Sequence, residues 1–304
     1  MTSLLNADAL RRLAGPLRSV APGFYVALNR VRGRLIARGG GLPPYQSIAL
    51  REFRKTCLSA GPAGKDVPEL GTDLRLQALD QIAAMGVRSA TGVNNSEAFW
   101  QSRPEGEVHG ANGARLLRGD ACALGFDDAS FDAVFSVALF EHILELPKAL
   151  REVHRVLRPG GRCYAAFGPI WSGCRGHHVN AAADGQEIRH ADPRKNVLPD
   201  FCHLLLSPEE MRAAIAARFT PALGEAVVES VYRTSYLNRL FFSEYERAIR
   251  ESPLRVIRWH PIRDTVAPAL DRILRLKYPN EARFDVTLVE VVLEKAPACR
   301  RASA

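Results

Sequence analysis

Residues 119–161 read GDACALGFDDASFDAVFSVALFEHILELPKALREVHRVLRPGG, and this stretch decides the fold. Within it Phe131–Val137 is almost wholly apolar, as a strand covered on both faces requires. Pro147–Leu157 places Leu150, Val153 and Leu157 at helical spacing, and Arg158-Pro159-Gly160-Gly161 ends that helix. Arg162–Phe167 returns to a strand pattern. Strand, helix and strand in this order make a βαβ unit, which implies a mainly parallel sheet.

Upstream the same alternation holds. Asp66–Leu70 reads as a strand, Gly71 as a turn, and Thr72–Met85 as a helix with Leu79, Ile82 and Ala83 on one face and Gly86 as its stop. Arg88–Val93 and the thin run Arg115–Arg118 read as two more strands. Downstream the pattern stops over residues 168–206, which are rich in Gly, His, Asp and Pro. So long a structureless loop in a compact domain reads as a lid or binding loop. Ser207-Pro208-Glu209-Glu210 then opens a helix in capping-box form. Ala226–Val231 and Asp285–Glu294 read as closing strands, separated by helical residues 237–276.

Length and composition bound the alternatives. The chain has 304 residues, 47% hydrophobic and 24% charged, which excludes a disordered, collagen-like or disulfide-scaffold class. No run approaches the roughly 18 apolar residues of a membrane-spanning helix. Residues 1–51 carry eight arginines against the single acid Asp8, so most of the net charge of +8 lies in the first sixth of the chain. A uniformly basic nucleic-acid binder is not patterned in this way. The six cysteines form no C-x-x-C pair and read as free, packed thiols of a reducing compartment, and the cytoplasm is the expected location. The expected organisation is a basic helical arm and linker over 1–58, with Gly39-Gly40-Gly41 and Pro43-Pro44 marking the link. One domain over 59–296 follows, with an acceptor loop at 171–206, a helical cap at 237–276 and a tail at 297–304.

Gly119-Asp120-Ala121, Ser130-Phe131-Asp132, Phe140-Glu141-His142-Ile143 and Leu157-Arg158-Pro159-Gly160-Gly161, in this order, resemble the central half of class I S-adenosylmethionine (SAM)-dependent methyltransferases, type 11-like. With the strand–Gly–helix unit before it, the resemblance covers about residues 66–170. It implies a Rossmann-like, doubly wound seven-stranded sheet, mainly parallel with an antiparallel last strand. It also implies an enzyme with SAM as cofactor. Gly71, Asn94, Asp120 and Ser136 each sit at or just after the end of a predicted strand, where open α/β sheets bind ligands. By resemblance Asp120 meets the adenine amino group, Ala121 donates its backbone N–H, and Ser136 and Val137 line the methionine end.

The sequence departs from the family at two points of the cofactor site. The usual acid-x-Gly-x-Gly-x-Gly motif reads Glu69-Leu70-Gly71-Thr72-Asp73-Leu74-Arg75, so two glycines are replaced. Glycines there let the backbone approach the ligand without a Cβ. Asp73 substitutes in part, as a helix N-cap and as a carboxylate for the cofactor's ammonium. At the end of the second strand the family's ribose-gripping acid is Asn94, a neutral and weaker partner for a diol. Pro68 inside the first strand is a further oddity.

Gly168-Pro169-Ile170-Trp171-Ser172-Gly173 and Gly176-His177-His178 follow the fifth strand. Methyl transfer to an O–H or N–H acceptor needs a base, and a histidine with near-neutral pKa suits it, so His177 and His178 are the candidates. Their alternative role is to order the loop through hydrogen bonds. Cys174, His177, His178, His190, Cys202 and His203 are zinc-type ligands, but their spacings fit no zinc pattern, and no metal is expected. The leading expectation is methyl transfer to an O or N atom of a small molecule. A non-catalytic scaffold with this fold and an RNA methyltransferase using the basic arm are the competing readings. A homodimer through that arm is a further expectation, whereas nucleic acid is disfavoured because the arm has few aromatics for base stacking.

Overall fold

A computed structural model describes residues 43–298, apart from Leu74, Ser102, Pro104, Glu105 and Pro193. The basic arm over 1–38, the Gly39–Gly41 link, the dimer expected through that arm, and Cys299 lie outside the described residues. In chain order the elements are α1 (Pro44–Cys57), β1 (Asp66–Leu70), α2 (Gln77–Ala84), β2 (Ser89–Asn94), α3 (Glu97–Trp100), β3 (Glu107–His109) and β4 (Arg115–Arg118). They continue with β5 (Phe131–Val137), α4 (Leu146–Val156), β6 (Leu157–Phe167), β7 (Asn180–Ala183), β8 (Gln186–Arg189), α5 (Cys202–Leu205) and α6 (Pro208–Arg218). The last are α7 (Pro221–Val228), α8 (Phe242–Arg250), β9 (Arg255–Arg263), α9 (Pro268–Lys277) and β10 (Val286–Glu294).

Eight strands form one sheet in the order β3-β4-β2-β1-β5-β6-β10-β9. β4, β2, β1, β5 and β6 run parallel, while β3 on β4 and β10 on β6 are antiparallel. The architecture is therefore the expected α/β doubly wound one, with an antiparallel edge strand β3 added. Strand order reverses between β1 and β5, so the switch point lies between Leu70 and Ser136, which are register partners. Pro68 is tolerated because β1 pairs with β2 along its length but with β5 only at Glu69 and Leu70. It lies before that second ladder begins.

The chain divides into two compact units. One contains the described residues of Leu42–Gly168, Glu244–Pro261 and Val289–Ala304. Its core is built from α1, α2 and the central strands, with Phe53, Leu79, Ile82, Phe135 and Tyr164 fully buried. Phe53 of α1 lies 5.1 Å from Phe135, and Arg162 donates to the Thr56 carbonyl at 2.8 Å. Residues 43–58, expected as part of the arm, therefore belong to the sheet unit. At the amino ends of the strands Asp66 accepts from Arg88, Ser89 and Arg158, and these hydrogen bonds, that of Arg88 foremost, together with the Arg88 charge hold it well below the usual carboxylate range.

The other unit contains the described residues of Pro169–Ser243 and Ile262–Leu288 and has a core of its own, including Phe201, Leu223, Val227, Val231 and Phe284. Three expectations are corrected here. The stretch 168–206 is not structureless: it holds the hairpin β7–β8 and the short α5. Residues 226–231 are not a strand but the end of α7 and a π-helical turn at Glu229–Arg233. The expected helical cap at 237–276 is interrupted by strand β9. The Ser207 capping box is present, with Glu210 N donating to Ser207 Oγ at 3.1 Å and Ser207 N donating to Glu210 Oε2 at 2.7 Å. Among the described residues no helix is long and apolar enough to cross a membrane.

Candidate active site

The carboxyl ends of β1, β2, β4 and β5 gather most of the expected cofactor residues along one rim of the sheet unit. After β1 the backbone turns sharply. Gly71 has φ +78° and its N–H donates to Val93 O at 2.9 Å. A Cβ at Gly71 would stand 2.9 Å from Leu139 Cβ, so the chains leaving β1 and β5 are packed at the switch point with no room for a side chain. At this position the family glycine is retained for a steric reason.

The two missing glycines have a different consequence from the one expected. Helix α2 begins at Gln77, not at Thr72, and its N-cap is Leu76 in the left-handed region. Asp73 is therefore not an N-cap. Its Oδ1 accepts from Arg75 N at 2.7 Å in an Asx turn, and its Oδ2 has no partner. Arg75 is exposed, so it does not fill the site.

Glu69, at the end of β1, is 3% exposed, and burial, reinforced by the charge of Asp73, pushes its pKa up to about 8. Its Oε2 has no hydrogen-bond partner. Asn94 is held on both amide atoms: Nδ2 donates to Thr72 O at 2.9 Å and Oδ1 accepts from Ser96 N at 2.6 Å. Asp120 is exposed, and its Oδ1 accepts from Cys122 N at 2.9 Å, which fixes the turn carrying Ala121. Ser136 is 1% exposed and donates to Leu70 O at 3.2 Å, tying β5 to β1, and Val137 is buried beside it.

Glu141 belongs with this set, although the sequence reading gave it no role beyond the Phe140-Glu141-His142-Ile143 motif. It is 1% exposed, its Oε1 accepts from Gly168 N at 2.9 Å, its Oε2 has no partner, and burial pushes its pKa up to about 8. The signal available in the sequence was an acid between the apolar Phe140 and Ile143. The phenol of Tyr45 in α1 is raised by burial and by the charges of Asp73 and Glu141, which places the first turn of α1 near both acids. Neither residue stands out in a sequence that reads α1 as an arm.

The histidines belong to the other unit. His177 is fully buried, its Nδ1 accepts from Val179 N at 3.1 Å, and its Nε2 has no partner. Burial, then the neighbouring His203, His190 and His178, lower its pKa well below the usual imidazole value. His178 is 8% exposed and its Nδ1 lies 2.9 Å from Gly176 O. A carbonyl only accepts, so that nitrogen carries the proton and Nε2 is the basic atom. His203 Nε2 similarly donates to Trp171 O at 2.8 Å, and burial lowers its pKa to about 4. Gly176 permits this packing, since a Cβ there would stand 2.4 Å from Ile170 O.

The family described as "Methyltransferase domain" matches residues 71–165. Those residues run from the Gly71 turn to the middle of β6 and contain the switch point. Residues 71–165 are a class I methyltransferase domain. Two curated relatives match part of the chain. One is the probable phthiotriol/phenolphthiotriol dimycocerosates methyltransferase 2 of Mycobacterium ulcerans, 33% identical over 150 residues, 48% of this chain and 56% of that one. Another is the malonyl-[acyl-carrier protein] O-methyltransferase of Methylococcus capsulatus, 39% identical over 89 residues, 26% of this chain and 32% of that one. The chain thus spans less than two thirds of either relative. A solved S-adenosylmethionine-dependent methyltransferase from Mesorhizobium loti aligns over 79% of this chain and 97% of its own, with a TM-score of 0.46 and 15% identity.

Proposed function

We propose that the protein is an enzyme that transfers the methyl group of SAM to an oxygen or nitrogen atom of a small-molecule acceptor. One observation carries the reading. Inside and beside the methyltransferase domain, Glu69, Asp73 and Glu141 each keep a buried carboxylate oxygen without a partner, next to a Gly71 backbone that admits no side chain. Buried unpartnered acceptors are costly, about 1–3 kcal/mol each, and are characteristic of sites completed by a ligand. A ligand with a sulfonium and an ammonium supplies the missing positive charge, so the residues present fit SAM.

When bound, SAM supplies an electrophilic methyl group. The chain's residues supply the rest. In this reading Glu69, Asp73 and Glu141 bind the cationic end, Ser136 and Val137 line the methionine end, and Asn94 serves the cofactor loops. Asp120 and the Ala121 N–H recognise the adenine. His177 and His178 are the candidate bases for the acceptor's proton. Of the two, burial leaves His177 a poor base, which favours His178. The oxygen acceptor is supported by the likeness to the malonyl-[acyl-carrier protein] O-methyltransferase of Methylococcus capsulatus.

Isothermal titration of the purified full chain with SAM and with S-adenosylhomocysteine tests the proposal. Saturable one-to-one binding of both is expected. Absence of heat at millimolar ligand would favour a scaffold that has kept only the architecture.

A further inference from the structure

The residue that departs furthest from the family's cofactor chemistry is also the most heavily bonded polar residue of the rim. Asn94 makes four hydrogen bonds, to three different loops and to α3. Its Nδ2 donates to Thr72 O at 2.9 Å, and its Oδ1 accepts from Ser96 N at 2.6 Å. Its backbone carbonyl accepts from Trp100 Nε1 at 2.8 Å and from Gly119 N at 3.1 Å. Thr72 follows β1, Ser96 follows β2, and Gly119 precedes Asp120 after β4.

The amide can sit only one way round. Ser96 presents an N–H and Thr72 presents a carbonyl, so a flipped amide would set donor against donor and acceptor against acceptor. The Thr72 carbonyl therefore needs a donor at position 94. A carboxylate there offers none. At 2.9 Å it would place an anionic oxygen against a carbonyl oxygen. The loop so held is the one in which two glycines are replaced, and α2 begins only after it, at Gln77.

We infer that Asn94 is a positioning residue: its amide latches the Thr72 loop to the β2 loop and so sets the cofactor-binding rim, instead of gripping the ribose as an acid would. The change from acid to amide is then matched to the altered glycine loop, and restoring the acid does harm. This inference rests on SAM binding at that rim, and the experiment separates the two claims.

Three proteins are compared, wild type, Asn94→Asp and Asn94→Ala, each checked for folding by circular dichroism. Hydrogen exchange of the unliganded proteins reads the latch without any ligand. Both variants should exchange several-fold faster over residues 71–76 than the wild type. Titration with S-adenosylhomocysteine and with its 2′-deoxy analogue reads the ribose contact. N94D should bind S-adenosylhomocysteine roughly 10–100-fold more weakly than wild type, the size of one lost hydrogen bond with an opposed oxygen. The ratio of the two affinities should be the same in wild type and N94A. Tighter binding by N94D, or a preference for the ribose hydroxyl that vanishes in N94A, would overturn the inference. Unchanged exchange over 71–76 in both variants would also overturn it. A wild type that binds neither ligand refutes the proposed function, and exchange still decides the latch. If N94D does not fold, N94A carries both comparisons.

Discussion

Replacing Glu141 with Gln tests whether the rim contains a carboxylic acid held neutral by burial. In the folded chain its pKa is about 8, against an ordinary 4.5. The folded value is the higher one, so the unfolded chain loses this proton first as pH rises. Below about pH 4.5 both states are protonated and the full contribution to stability is present. Between about pH 4.5 and pH 8 it is progressively lost. At about 1.4 kcal/mol per pKa unit, the loss between about pH 5 and pH 8 is about 3 kcal/mol. Glutamine has the same shape, stays neutral, and keeps an oxygen for the Gly168 N–H that Glu141 now accepts at 2.9 Å. The stability gap between E141Q and wild type should therefore move in favour of the variant by about 3 kcal/mol over that range. Urea unfolding of both full-length proteins at matched ionic strength and several pH values measures it. A gap that does not change with pH would refute the reasoning, because it would mean that Glu141 ionises in the fold as freely as in the unfolded chain.

Other outcomes follow from the same geometry. Gly71→Ala forces a Cβ into the left-handed region and against Leu139, and should cost about 2–4 kcal/mol in urea unfolding. Adding Leu139→Ala removes the Cγ and Cδ1 contacts but not the one to Leu139 Cβ, so it should recover only part of the packing cost and none of the backbone cost. His203, lowered to about 4 from 6.5, acts in the opposite sense to Glu141: the unfolded chain protonates first as pH falls, so stability is lost from about pH 6.5 downward. His203→Gln should remove about 2 kcal/mol of the loss between about pH 7 and pH 5, read as a flatter acid limb in denaturant unfolding.

Much of the sheet was legible because its strands are buried on both faces and read as apolar runs. β5 is the clearest case, with Phe131 and Val134 to Val137 all buried. The Ser207 capping box was legible because both of its bonds are local. The errors came where tertiary contacts override local pattern. Ala226-Val227-Val228 carries β-branched residues, yet Thr220 caps a helix there and Pro221 sits in its first turn. Gly224 lets α7 approach α6 closely, since its Cβ would lie 2.8 Å from Arg212 O. β9 is an edge strand with alternating partial exposure and a proline, Pro261, which only an edge position accommodates. The β7–β8 hairpin did carry a turn signal, Asp184-Gly185, both at positive φ, but Ala-rich flanks concealed it. Within the site, strand-end positions could be read from sequence, and so could Gly71. The bonding of Asn94 could not, because it depends on which atom of Thr72 faces the amide, and the neutral state of Glu141 depends on burial by residues distant in sequence.

Hydrogen exchange of the wild-type chain with and without saturating SAM tests the central claim most directly, since it reads both whether the cofactor binds and where. Protection should concentrate over residues 69–76, 94–96, 119–122 and 136–141, with the rest of the sheet unit unchanged. Binding that protects none of these segments, or no protection at any SAM concentration, would contradict the account.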